Sequence, residues 1–211
     1  MNHVMLDVDG TLIQSYEFDE QCFMEAIYET TGIEILNNWE TYPDVTDRGI
    51  LRTFIERQAP LYSLEELENL VKPVFIRNIK RTVEISPVTE TLGAKAFVSH
   101  LLSSDRYIVS VATGGWGETA RIKLASAGFD IDKLVIMSSN EHYSRIKIME
   151  MARAEIDLNG NLPVTYFGDA QWDIKACDEL GINLVIVGHR VSHHQRIQDF
   201  SCLESALCFV K

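Results

Sequence analysis

Val4-Met5-Leu6-Asp7-Val8-Asp9-Gly10-Thr11-Leu12 is the stretch that decides the fold. An apolar run leads into two acids set two apart, then a glycine and a threonine. Residues 4–8 have the composition of a buried strand, and Gly10 marks a turn at its end. Side chains alternate along a strand but not through a turn. Asp7, in the last turn of the strand, and Asp9, at the bend, can therefore converge on one point. Two close carboxylates repel unless a cation or a shared proton holds them. The pair is a candidate metal site, or a nucleophile with an acid/base partner. An Asp-Gly turn with Asp7 capping local amides is the other reading open at this point.

Outward from that stretch, four more short apolar runs read as strands: residues 107–112, 134–138, 164–167 and 184–187. Most are rich in Val and Ile with little alternation, as in a parallel sheet buried on both faces. Helical segments over 116–127, 145–156 and 171–180 separate the later ones, with Ser144 a plausible N-cap and Gly128 and Gly181 plausible stops. Strand–helix alternation implies right-handed βαβ units and a doubly wound α/β fold. Residues 15–86 break the rhythm with amphipathic helical segments at 19–30, 47–58 and 64–79. The expected organisation is an α/β core domain over 1–14 and 87–211 with a helical domain, 15–86, inserted after the first strand. Residues 189–195 read as a loop, and 201–206 as a short helix.

Ligands of a doubly wound sheet bind outside the carboxyl ends of its strands. Here those ends carry Asp7, Asp9 and Gly10; then Thr113-Gly114-Gly115; then Ser144-Arg145-Ile146-Lys147 opening a helix; then Gly168-Asp169, with Asp173 in the next helix. Each piece has a plain structural reading: a glycine turn, acids favoured by a helix dipole, surface cations. Their occurrence in this order at successive strand ends is what points to a site.

In these residues the chain resembles the haloacid dehalogenase superfamily of phosphohydrolases: DxDGT at Asp7 to Thr11, a strand-end Thr113-Gly114, a basic residue, and GDxxxD from Gly168 to Asp173. The inserted helices resemble that superfamily's first cap class, as in phosphoglycolate phosphatase-like and phosphoglucomutase-like members. The resemblance implies that Asp7 attacks phosphorus, forming an aspartyl-phosphate, while Asp9 acts as acid and then base. It implies Mg2+ held by Asp7, Asp169 and the backbone carbonyl of Asp9, with Asp173 holding a metal-bound water or ligating directly. Thr113 and Gly114 would bind phosphoryl oxygens. The third motif departs from the common pattern of Lys followed by Pro. Position relative to the helix start assigns its cation to Arg145, with Lys147 second. Arg48, in the inserted segment, is a candidate for a second anionic group on the substrate. Trp116 reads as core filling. Asp9 disfavours dehalogenase and phosphonate-cleaving branches. A phosphosugar mutase, a phospho-acceptor switch and a noncatalytic binding module remain as alternatives.

The chain has 211 residues, 46% of them hydrophobic, and a formal net charge of −12. That field opposes nonspecific binding to nucleic acid or an anionic membrane, so the expected partner is a small phosphorylated metabolite, bound by a monomer or homodimer. The four cysteines form no CxxC, which points to a reducing compartment. With no apolar run of spanning length and a strand beginning at once, the expected location is the cytoplasm.

Overall fold

The computed structural model describes residues 1–210. β1 (Asn2–Leu6) buries Val4, Met5 and Leu6. It lies inside a six-stranded sheet, paired in parallel with β2 (Tyr107–Ala112) and β4 (Val164–Gly168). β3 (Val135–Met137) continues the sheet beyond β2, and β5 (Asn183–Val187) and β6 (Arg196–Ile197) beyond β4. The order β3-β2-β1-β4-β5-β6, parallel throughout, is the expected doubly wound α/β fold.

Between β1 and β2 the regular structure begins with α1 (Tyr16–Thr31), α2 (Asp47–Arg57) and α3 (Leu64–Ile85). These three helices bury a core of their own, with Phe23, Ile27, Leu51, Phe54, Val71 and Phe75 in it. α4 (Ala94–Leu102) and α5 (Gly117–Ser126) cover one face of the sheet, where Phe97 and Leu124 meet Leu6, Val111 and Phe167. α6 (Arg145–Ile156) and α7 (Gln171–Leu180) cover the other, where Met149 and Cys177 meet Met5, Tyr166 and Ile186. A short α8 (Leu203–Leu207) follows β6. Among the described residues no helix is long and apolar enough to cross a membrane.

The structure adds to the expected elements and trims some. β1 stops at Leu6, so Asp7 is the first residue past the strand rather than within it; its N–H donates to the Phe167 carbonyl at 2.9 Å. α4 was not expected, although Ala94, Phe97, Val98 and Leu101 are buried at helical spacing. The two-residue β6 was not expected either. α3 runs on to Ile85 past residue 79, with Pro73 inside it, and starts from a capping box between Ser63 and Glu66. Ser144 occupies the N-cap of α6 but makes no side-chain cap. α7 ends on Gly181 at φ +63°, as its glycine suggests.

Candidate active site

β2 and β4 flank β1 on opposite sides, so the chain switches direction about β1 and a crevice opens beyond these strand ends. Asp7 leaves β1, Asp169 leaves β4, and Asp173 sits in the first turn of α7. Carboxylate oxygens of these three buried acids lie within 4.8 Å of one another. The Asp169 and Ala170 amides each donate to Asp173 Oδ2 at 3.0 Å, fixing that side chain at the helix start. Gly10 closes the turn at φ +85°, where any Cβ would collide with the Asp169 carboxylate.

Arg145, the first residue of α6, reaches into the trio. Its Nη1 lies 3.3 Å from Asp7 Oδ1, 3.0 Å from Asp173 Oδ1 and 3.1 Å from the Tyr166 hydroxyl. Burial works against its charge, but Asp173, Tyr166 and Asp7 outweigh it and raise its pKa. Its Nε is buried without a hydrogen-bond partner. Burial pushes the Asp7 carboxyl well above the usual range; Arg145 pulls it back, and Asp173, Asp169 and Asp9 add to the rise. Asp169 is pushed up to about 7, by burial first and Asp173 next, against the pull of Arg190. Arg190 donates to Asp169 Oδ2 at 2.6 Å and lies over the Tyr16 ring. Three hard oxygen donors under mutual repulsion, with one orphaned guanidinium N–H beside them, fit a divalent oxophilic cation and an anion.

The second acid is held separately. The Asp9 Oδ1 atom accepts from the Ser15 hydroxyl and from Lys123 Nζ, the latter at 2.5 Å. Lys123 is fully buried and also pairs with Asp19 of α1. Burial opposes the ammonium, but Asp19 and Asp9 outweigh it and raise its pKa. Asp19 in turn is pushed up to about 6 by burial, against Lys123.

Thr113 follows β2 and is buried, its Oγ1 accepting from the Gly115 amide at 3.2 Å. A Cβ on Gly114 would stand 2.7 Å from Arg145 Nη2 and 2.9 Å from the Val45 carbonyl, so glycine permits this approach. A pocket of ≈ 90 Å³ opens here between sheet and inserted helices. Asp7, Asp9, Thr113, Gly114 and Arg145 line it from the sheet side; Asp19, Glu20, Asp47, Phe23 and Trp39 line it from the insert.

Residues 4–187 match the family model described as haloacid dehalogenase-like hydrolase. The chain belongs to the haloacid dehalogenase-like hydrolases. Curated proteins give no match. Among solved structures, this haloacid dehalogenase-like hydrolase is similar to a hydrolase from Pseudomonas syringae, with TM-score 0.77, 18% identity and coverage of 99% of this chain and 98% of the other. It is also similar to beta-phosphoglucomutase from Clostridium difficile, with TM-score 0.72, 15% identity and coverage of 96% and 93%. CbbY from Rhodobacter sphaeroides, in complex with phosphate, gives TM-score 0.70, 15% identity and coverage of 96% of both chains.

Within this haloacid dehalogenase-like hydrolase, Asp7, Arg145, Asp169 and Asp173 cluster, and Asp9, Thr113 and Gly114 line the same pocket as Asp7 and Arg145. Lys147 and Arg48 do not. Two residues of helix turn a side chain by about 200°, so Lys147 points away from Arg145's side and pairs with Glu150 at 2.6 Å on the exposed face. Arg48 pairs with Glu68 and donates to the Asn140 carbonyl; its neighbour Asp47 faces the pocket instead. The Asp9 carboxylate stands outside the acid trio, taken by Ser15 and Lys123. Trp116 packs 5.9 Å from both Phe23 and Phe75, filling the helical core. Sequence reading missed Lys123, Asp19 and Arg190, and at the start of α2 it chose Arg48 where Asp47 faces the pocket. A signal existed for Lys123: it falls on the buried stripe of α5 with Ala120 and Leu124.

Proposed function

We propose that this chain is a Mg2+-dependent phosphohydrolase that cleaves a small-molecule phosphate monoester through an aspartyl-phosphate on Asp7. The arrangement that carries this reading is Asp7 beside Arg145, with a second carboxylate, Asp9, held by separate partners. Asp7, Asp169 and Asp173, with the Asp9 backbone carbonyl, would hold Mg2+, which when bound neutralises phosphoryl charge. An Asp7 oxygen attacks phosphorus as the ester P–O bond breaks, and Asp9 gives its proton to the departing alkoxide. Asp9 then takes a proton from the water that attacks the acyl-phosphate, releasing phosphate and restoring Asp7. Arg145 offsets the charge of nucleophile and phosphoryl oxygens, and its unpartnered Nε supplies a donor. Thr113 Oγ1 and the amide of Gly114 bind the phosphoryl oxygens. CbbY, similar in fold, is in complex with phosphate, which supports a phosphoryl ligand.

Residues 15–86 act in this reading as a cap over a core of 1–14 and 87–211. Bonds from Thr46, Asp47 and Arg48 to the loops after β2 and β3 support it. Closing over the pocket expels water from the reacting groups. Four free cysteines fit a reducing cytoplasm. The test is a screen of phosphorylated metabolites with Mg2+, with and without chelator, on wild type and Asp7→Asn. Chelator and Asp7→Asn should each abolish phosphate release while the melting curve stays cooperative; full turnover by Asp7→Asn refutes the mechanism.

A further inference from the structure

The reaction above leaves a buried lysine unused. Lys123 lies wholly inside the protein, its side chain 1% exposed, and a buried ammonium is costly unless well paired. Its Nζ meets Asp9 Oδ1 at 2.5 Å and also Asp19 Oδ1. Lys123 comes from α5 on the sheet, Asp9 from the turn after β1, and Asp19 from α1 of the inserted helices. One ammonium thus joins three elements that meet at the pocket. Both side-chain donors to Asp9, Lys123 and Ser15, fall on Oδ1. Oδ2 is therefore the oxygen left for a ligand in the pocket that Asp9 lines. Lys123 is not part of that lining, so it reaches the pocket through the carboxylates it holds, Asp9 and Asp19, of which Asp9 takes part in the reaction.

We propose that Lys123 is a positioning residue for Asp9. It anchors the carboxylate by Oδ1 so that Oδ2 exchanges the proton with leaving group and water. Because Asp19 shares the same ammonium, Asp9 takes this setting only when α1 is seated on the core. The proposal rests on the phosphohydrolase reading.

A residue that places a proton donor matters most when the leaving group needs that proton. An alkyl phosphate leaves as a basic alkoxide, whereas p-nitrophenyl phosphate leaves as a stable phenolate. Lys123→Met should lower kcat about a hundredfold on an alkyl phosphate and less than about fivefold on p-nitrophenyl phosphate, within the range of general acid–base effects. KM should stay within about threefold for both esters, since no substrate contact is removed. Lys123→Arg should recover most of the alkyl-ester loss. If Lys123→Met does not fold, Asp19→Asn carries the test: it keeps Lys123 and loosens it, and the same ester-selective loss, about tenfold, is expected. Equal losses on both esters, or a raised KM at unchanged kcat, would make Lys123 a strut between helices and overturn the proposal alone. Wild type inactive on both esters would overturn the phosphohydrolase reading and this proposal with it.

Discussion

A methyl group at Gly114 has nowhere to go. Arg145 can swing aside, but the Val45 carbonyl is backbone and cannot. Gly114→Ala should therefore displace the guanidinium from Asp7 and lower kcat about tenfold or more, with a melting temperature only a few degrees lower; steady-state kinetics beside thermal melts check this. His3 offers a second prediction, away from the pocket. It is buried between β1 and β2, bonded to Ser110 Oγ at 2.8 Å, and burial lowers its pKa to about 4, with Arg153 assisting. The unfolded chain takes up this proton near pH 6.5 and the folded chain only near 4. In that window the unfolded state binds more protons, so stability falls as pH drops from 6.5 towards 4. Between pH 7 and 4.5 wild type should lose roughly 2–3 kcal/mol relative to His3→Gln, measured by urea unfolding. At this scale the four carboxylates at the strand ends were legible, because the structural reason each has alone does not account for their order at successive ends. Arg145 was legible from its place at a helix start. For Lys123 the helical stripe signalled burial but not a role: its partners lie 114 and 104 residues away, and a lysine within a helix normally faces water.

The start of α2 does for the inserted helices what Lys123 does for Asp9. Thr46 caps the helix, accepting from the Gly49 amide at 3.0 Å, and donates to the Tyr143 carbonyl at 2.5 Å. Asp47 N–H donates to the Gly114 carbonyl at 2.8 Å, and the Trp116 amide donates to Asp47 Oδ2 at 2.6 Å. A single turn therefore grips two loops of the sheet. Thr46→Ala should cost about 1 kcal/mol of stability through the lost cap. It should also raise KM severalfold by weakening the grip, a change that melting curves and initial rates separate. The 47–58 segment was readable as a helix from its spacing, and its first turn as functional. Its geometry was not: the arginine there turns to Glu68 while the acid faces the pocket. α4 carried a helical stripe too short to stand out between turns. β6 has two residues, too few for any periodicity.

For the whole molecule, sign of charge is the dominant fact. The net −12 is repeated inside the pocket, where Asp19, Glu20 and Asp47 face the insert side and Arg145 is the only cation in the wall among the described residues. Burial, then Asp19, pushes the Asp47 carboxyl well above its usual range, so this wall already resists more negative charge. A substrate with a second phosphate or a carboxylate should be turned over at least about tenfold less efficiently than an ester whose alcohol part is neutral or cationic. Comparing kcat/KM for glycerol phosphate, an amino-alcohol phosphate and a phosphorylated carboxylic acid checks it. The doubly wound topology was legible because strand–helix alternation admits few arrangements. Substrate preference was not, because it depends on which side chains of the insert turn inward.

β1 precedes the other strands of its sheet in the chain and is an inner strand of the finished sheet. Its partners are Tyr107–Ala112 and Val164–Gly168. A nascent chain therefore emerges from the ribosome with that hydrophobic run unpaired for roughly a hundred residues. At about 5–20 residues per second, both neighbours are present only after about 10–30 s. The helices made in the interval close on one another through local contacts, which fold fast. Asp7 thus stays chemically ordinary until those strands and helices have been made. The residues that change it, Arg145, Asp169 and Asp173, are added more than a hundred residues later.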